Sequence, residues 1–115
     1  MTPPIAPRRH GRLRYPAEHR PSLILEDDAL AVIDLSERGL RFRQDHGPEP
    51  KVGARLEGIL QLIRGETLPV RGTVVRVSRP DGPARPDLVE VAAHLTEAGI
   101  PPRVIIAERQ ALQEP

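Results

Sequence analysis

Short runs of alternating apolar and polar residues dominate the middle of this 115-residue chain. Alternation with a period of two is typical of β-strands that face a core on one side and solvent on the other. Glycine, proline and acidic residues separate the runs, as expected for turns. The predicted strands are 22–26, 30–35, 40–43, 55–63, 68–77 and 89–95.

The run 68–77 changes parity along its length. Its apolar residues occupy even positions before Gly72, as at Val70, and odd positions after it, as at Val75. One extra residue in a strand produces such a switch, and glycine is common at these sites. The sequence therefore predicts a β-bulge near Gly72, which would bend the strand as closure of a barrel requires.

The pattern changes again at the C-terminus. Pro101-Pro102 suits the start of a helix, and Val104, Ile105, Ala111 and Leu112 then fall near one side of it. Six strands and one terminal helix predict an all-β domain, a six-stranded antiparallel β-barrel with a short C-terminal α-helix. We expect a flexible arginine-rich arm over 1–21, the barrel over 22–98, and the helix and tail over 99–115.

The composition of the chain argues against several classes of protein function. The chain has no cysteine, which excludes disulfides and thiolate metal sites, and its four histidines lack metal-ligand spacing. No signal peptide or membrane span is recognisable, so we expect a cytoplasmic protein. A net charge of +1 and only two aromatic residues, Tyr15 and Phe42, disfavour an RNA-binding barrel. No nucleophile with a neighbouring base forms a recognised motif, so no enzyme activity is predicted.

Two polar segments stand out from this scaffold. Four arginines lie between positions 8 and 14, and the hexapeptide 34–39 follows an apolar run. Asp34 and Ser36 are two residues apart and should leave one face of a strand, while Gly39 is expected to adopt a positive φ in the following turn. Taken alone, the hexapeptide also fits a plain turn in which these side chains bond backbone amides.

The spacing of the two segments resembles the PilZ domain, a bacterial receptor module for cyclic di-GMP. Arg8-xxx-Arg12 matches the RxxxR pair of that family, and Asp34-x-Ser36-xx-Gly39 matches its (D/N)xSxxG motif. An alternative register uses Arg14 before Tyr15-Pro16 and puts His10 in the place of the first arginine. The resemblance implies that cyclic di-GMP is bound by Arg8, Arg12, Asp34, Ser36 and Gly39, with Arg9 and Arg14 as possible auxiliary contacts.

The chemistry of these residue types agrees with such a ligand. An arginine fork binds phosphate and the O6/N7 edge of guanine, and a carboxylate accepts bonds from the opposite guanine edge. The resemblance implies a receptor without cofactor or metal, whose ligand orders the arm over the barrel and signals to an effector protein. The main alternative is a PilZ-like adaptor in motility or pilus assembly that acts without ligand.

Overall fold

A computed structural model describes residues 11–96 and 98–113 of the chain. Sheet dominates, with one 3-10 turn at Gly82–Ala84 and one α-helix, α1, at Pro102–Gln113. The strands are β1 (Leu13–Arg14), β2 (Ser22–Leu25), β3 (Asp28–Ser36), β4 (Gly39–Gln44), β5 (Arg55–Gln61), β6 (Thr67–Ser78) and β7 (Val89–Leu95).

Strands β2 to β7 close into a barrel in which every pairing is antiparallel. Their order is β3-β2-β5-β6-β7-β4, and β4 pairs back with β3. Strand β1 is an extra element that pairs with the end of β3 beyond β2. The predicted fold, a six-stranded antiparallel barrel with a C-terminal helix, is therefore confirmed. The core lies inside the barrel, where Leu23, Phe42 and Val91 are fully buried.

Two bulges bend the barrel wall, and neither lies at Gly72. The register shifts between Val32 and Asp34 in β3, and between Val74 and Arg76 in β6. The predicted bulge in β6 is thus real but three residues later than expected. Gly72 has another role, because a Cβ atom there would lie 2.5 Å from the carbonyl oxygen of His94. The absence of a side chain at Gly72 therefore permits the close approach of β7.

The segment after residue 12 is packed on the barrel, which corrects the expectation that the flexible arm extends to residue 21. Leu13 and Tyr15 are buried in the core, and the amide of Tyr15 donates to the carbonyl of Ile33 at 2.9 Å. The expectation underestimated the apolar surface of these two side chains, which offsets the entropy lost on ordering. The first ten residues lie outside the described part of the chain.

Helix α1 packs through Val104 and Ile105, as its periodicity predicts, and through one unexpected residue, Glu108. The Glu108 side chain is fully buried. Its carboxylate accepts hydrogen bonds from the Tyr15 hydroxyl at 2.7 Å and from the amides of Ile63 at 3.1 Å and Arg64 at 3.3 Å. The carboxylate therefore joins three segments. In the part of the chain described, no helix is long and apolar enough to cross a bilayer.

Candidate functional site

The hairpin between β3 and β4 positions the polar residues of the hexapeptide. Ser36 pairs with Gly39, so residues 37–38 alone form the loop, and the register then places Asp34 opposite Arg41. Asp34 belongs to the outer side of the strand, since its neighbour Leu35 faces the core. Even so, Asp34 is only 1% exposed, because arginine side chains cover it.

The Asp34 carboxylate is held between two guanidinium groups. Nε of Arg41 donates to Oδ2 of Asp34 at 2.7 Å, and Nη2 of Arg41 donates to the same oxygen. Nη1 of Arg12 lies 3.6 Å from the other oxygen, Oδ1, which makes an ion pair but not a hydrogen bond. The hydrogen bond to Asp34 raises the pKa of Arg41 above its ordinary value. Asp34 thus organises one arginine just before β1 and one on β4.

A second carboxylate extends this arrangement across the sheet. Glu90 on β7 accepts from Nη1 of Arg41 at 3.2 Å and from Nη2 of Arg43 at 3.4 Å. The charges therefore alternate from Arg12 through Asp34, Arg41 and Glu90 to Arg43. Since the Arg41 guanidinium is held by a carboxylate on either side, the entropy cost of ordering this long side chain is already met before any ligand arrives.

An open groove of about 570 Å³ lies over this network, on the outer face of the barrel. Four arginine side chains line it, and a cluster of cations in a concave surface attracts small anions. Small residues of β7 form part of its floor. The lining residues are Arg12, Ser36, Arg38, Gly39, Leu40, Arg41, Val75, Arg76, Ala92, Ala93 and His94.

Most of the described candidate residues converge on this groove. Arg12, Ser36 and Gly39 line it, and Asp34 lies beneath the arginines. Arg14 is exposed and pairs through its backbone with Asp34, but it does not line the groove. Arg8 and Arg9, the other two candidates, lie outside the described residues, as does His10 of the alternative register.

Gly39 differs from its expected conformation. Its φ is not in the positive range, which among the described glycines is found at Gly11, Gly47, Gly53, Gly65 and Gly82. The loop 37–38 makes the reversal, so Gly39 is already the first residue of β4. Its lack of a side chain matters for space, because a Cβ atom would lie 3.2 Å from the Ala93 carbonyl oxygen and 3.6 Å from Oγ of Ser36. That hydroxyl donates to the Gly39 carbonyl at 3.3 Å.

Sequence reasoning missed Arg41 and Arg76 as groove residues. A usable signal existed for Arg41, because a two-residue loop after Ser36 fixes the register and puts Arg41 opposite Asp34. For Arg76 the signal was weaker, since its orientation depends on where the bulge in β6 falls.

Comparisons with known proteins agree with this architecture. The sequence profile of the PilZ domain matches residues 7–98. No curated protein matches the chain. Among solved structures, the Bacillus subtilis Inhibitor of motility (MotI/DgrA) resembles it with a TM-score of 0.61 and 14% sequence identity, over 83% of this chain and 47% of that one. This chain thus spans about half of that protein, and at such low identity the likeness shows the fold alone. Because the profile match covers most of its length, the chain belongs to the PilZ domain family.

Proposed function

We propose that this protein is a bacterial receptor for cyclic di-GMP and binds the messenger in the arginine-lined groove. The observation that carries the proposal is the convergence of Arg12 with Asp34 and Ser36, which belong to a later segment of the sequence, at one concave cationic surface. Cyclic di-GMP carries two phosphodiester charges and two guanines. Guanidinium forks suit both groups, because they bond phosphate oxygens and the O6/N7 edge of guanine in pairs.

Each motif residue has a distinct part in this proposal. Arg12, whose side chain is 51% exposed, binds phosphate or a guanine edge from above the groove. Asp34 holds the Arg41 guanidinium in place through Oδ2, and when Arg12 turns from Oδ1 toward the ligand, Asp34 accepts bonds there from the N1–H and N2 amino group of guanine. Ser36 adds a hydroxyl at the rim, and Gly39 keeps the floor open.

The arm supplies the remaining contacts in the proposed complex. Arg8 pairs with Arg12 on the ligand, as the RxxxR spacing implies, and Arg9 adds charge nearby. Arg14 is auxiliary at most, because its side chain does not reach the groove. Ordering of the residues before Leu13 over the ligand then creates a new surface, and an effector protein reads it. No catalytic step is part of this function.

Isothermal calorimetry with cyclic di-GMP tests the proposal. We expect saturable binding by the wild type and a loss of roughly 1.5–3 kcal/mol of binding free energy in Arg12→Ala, the value of a charge-assisted bond. Arg103→Ala is the matched control, because Arg103 is 70% exposed on α1 and pairs with Glu66 rather than with groove residues. Asp34→Ala should weaken binding strongly, and cyclic di-AMP should bind far less tightly than cyclic di-GMP.

The outcomes of this titration separate the competing functions. Absence of heat and of thermal stabilisation by cyclic di-GMP in the wild type would refute the receptor and leave the ligand-independent adaptor in motility or pilus assembly. Equal affinity for cyclic di-AMP would refute the guanine-reading role of Asp34. Thermal unfolding of the Asp34→Ala protein controls for loss of the fold, since that residue is buried against Arg41.

A further inference from the structure

The two bulges of the barrel lie at the two ends of one row of residues that are paired across the strands under the groove. Strands β4 and β7 pair without interruption, and Arg41 lies opposite Ala92. On the β3 side the register shift places Asp34 opposite Arg41, and on the β6 side a second shift places Arg76 opposite Ala92. The row across four strands therefore reads Asp34, Arg41, Ala92, Arg76.

The β6 bulge has a specific consequence for the far wall of the groove. A bulge puts two consecutive residues opposite one partner and redirects a side chain. Here Val75 becomes 52% exposed, and Val75 and Arg76 both line the groove. Without the extra residue, the strict alternation of Val70, Gly72 and Val74 would continue and turn Arg76 inward.

Arg76 differs from Arg41 in its surroundings. Arg41 is fixed by Asp34 and Glu90, whereas Arg76 has no hydrogen-bond or ion-pair partner among residues 11–96 and 98–113. One strand separates the two arginines, which puts their backbones roughly 10 Å apart, twice the usual strand spacing. Between them the short side chain of Ala92 leaves the floor low.

We propose that Arg76 and Val75 form a second subsite of the groove, which takes the half of a cyclic dinucleotide not held by Arg12 and Arg41. This inference rests on the proposed function. Arg76 binds the second phosphodiester or the O6/N7 edge of the second guanine, and the exposed Val75 packs against a face of that base. The low floor at Ala92 accommodates the ring between the two subsites. Two subsites select a ligand with two linked nucleotides over a mononucleotide.

Binding of cyclic di-GMP and of guanosine 5′-monophosphate to three proteins tests this subsite. The proteins are the wild type, Arg76→Ala and Arg71→Ala. Arg71 is the matched control, since it lies on the same strand, carries the same charge and is 60% exposed, but pairs with Glu57 outside the groove. We expect Arg76→Ala to lower the affinity for cyclic di-GMP by about tenfold or more and Arg71→Ala to change it by less than about twofold.

Two further measurements separate direct contact from general charge. The preference of the wild type for cyclic di-GMP over the mononucleotide should shrink in Arg76→Ala, and Arg76→Lys should restore only part of it, because lysine keeps the charge without the fork. Val75→Thr, which preserves branching at Cβ but replaces a methyl by a hydroxyl, should also weaken cyclic di-GMP binding while thermal unfolding stays unchanged.

Different results would refute the proposed subsite and the proposed receptor function. A wild type that does not bind cyclic di-GMP overturns the proposed function and the subsite together. Tight wild-type binding with equal affinities for Arg76→Ala and Arg71→Ala overturns the subsite alone and leaves the receptor standing.

Discussion

The buried hydrogen bond between Tyr15 and Glu108 should make the protein less stable as the pH becomes alkaline. The Tyr15 hydroxyl is buried with a residue exposure of 4% and donates to Oε1 of Glu108 at 2.7 Å. Burial first, and then the hydrogen bond and charge of Glu108, raise the pKa of Tyr15 far above the ordinary tyrosine value near 10. The folded protein therefore keeps a proton that the unfolded chain loses.

The sign and size of the effect follow from proton linkage. Below about pH 10 both states hold the phenol proton, and the contribution of Tyr15 to stability is complete. Above it only the unfolded chain ionises, so the free energy of unfolding should fall by about 1.4 kcal/mol per pH unit. Tyr15→Phe should remove this slope. At neutral pH the same change should cost roughly 1.5–3 kcal/mol, the value of a hydrogen bond to a charged group.

The composition of the chain makes the assay selective. Tyr15 is the sole tyrosine and there is no tryptophan, so phenolate absorbance reports this residue alone. Urea unfolding followed by circular dichroism from pH 8 to 11 gives the stability of the wild type and of Tyr15→Phe, and other ionising groups cancel in the difference. A phenolate that appears near pH 10 while the circular dichroism is still native would refute the reasoning. So would parallel pH profiles for the two proteins.

Two further predictions concern the register of the arm and the glycines of the barrel. Arg14→Ala should lower affinity for cyclic di-GMP much less than Arg12→Ala, because Arg12 lines the groove and Arg14 does not. Calorimetry giving the reverse order would favour the alternative register. Gly72→Ala should destabilise the fold by roughly 1–3 kcal/mol through its 2.5 Å clash with the His94 carbonyl, whereas Gly39→Ala should cost less, and thermal unfolding that ranks them in the opposite order would contradict this.

The barrel was predictable because each of its strands carries its own signal. In β7, for example, Val89, Val91, Ala93 and Leu95 are buried in strict alternation, and turn residues bound the run. Strand β1 gives no such signal. It consists of Leu13 and Arg14 alone and exists through its pairing with β3, so local periodicity could not reveal it.

The residues of the candidate site could be predicted where they follow from spacing along the sequence, but not where they follow from the register between strands. The motif residues Asp34 and Ser36 could be chosen from the sequence, but the cover over Asp34 comes from Arg41 on another strand. The position predicted for the bulge in β6 was wrong for a physical reason. Val74 and Val75 are both apolar, and Gly72 has no side chain to mark a face, so the parity switch fits several positions between 70 and 75.

If the groove binds a messenger as proposed, the packing of residues 12–15 constrains how the signal would leave it. Arg12 lies at the groove, Leu13 and Tyr15 lie in the core, and Tyr15 is bonded to Glu108 of α1. A ligand that draws Arg12 toward itself therefore pulls on a segment anchored immediately after it. Either the anchor holds and the conformational change stays upstream of Leu13, or the change reaches α1 by loosening the Tyr15 bond. Because Tyr15 is the sole tyrosine, its fluorescence with and without cyclic di-GMP, corrected for the light that the guanines absorb, distinguishes the two routes. An unchanged corrected signal at saturation assigns the output to the arm, and a changed one assigns it to the helix.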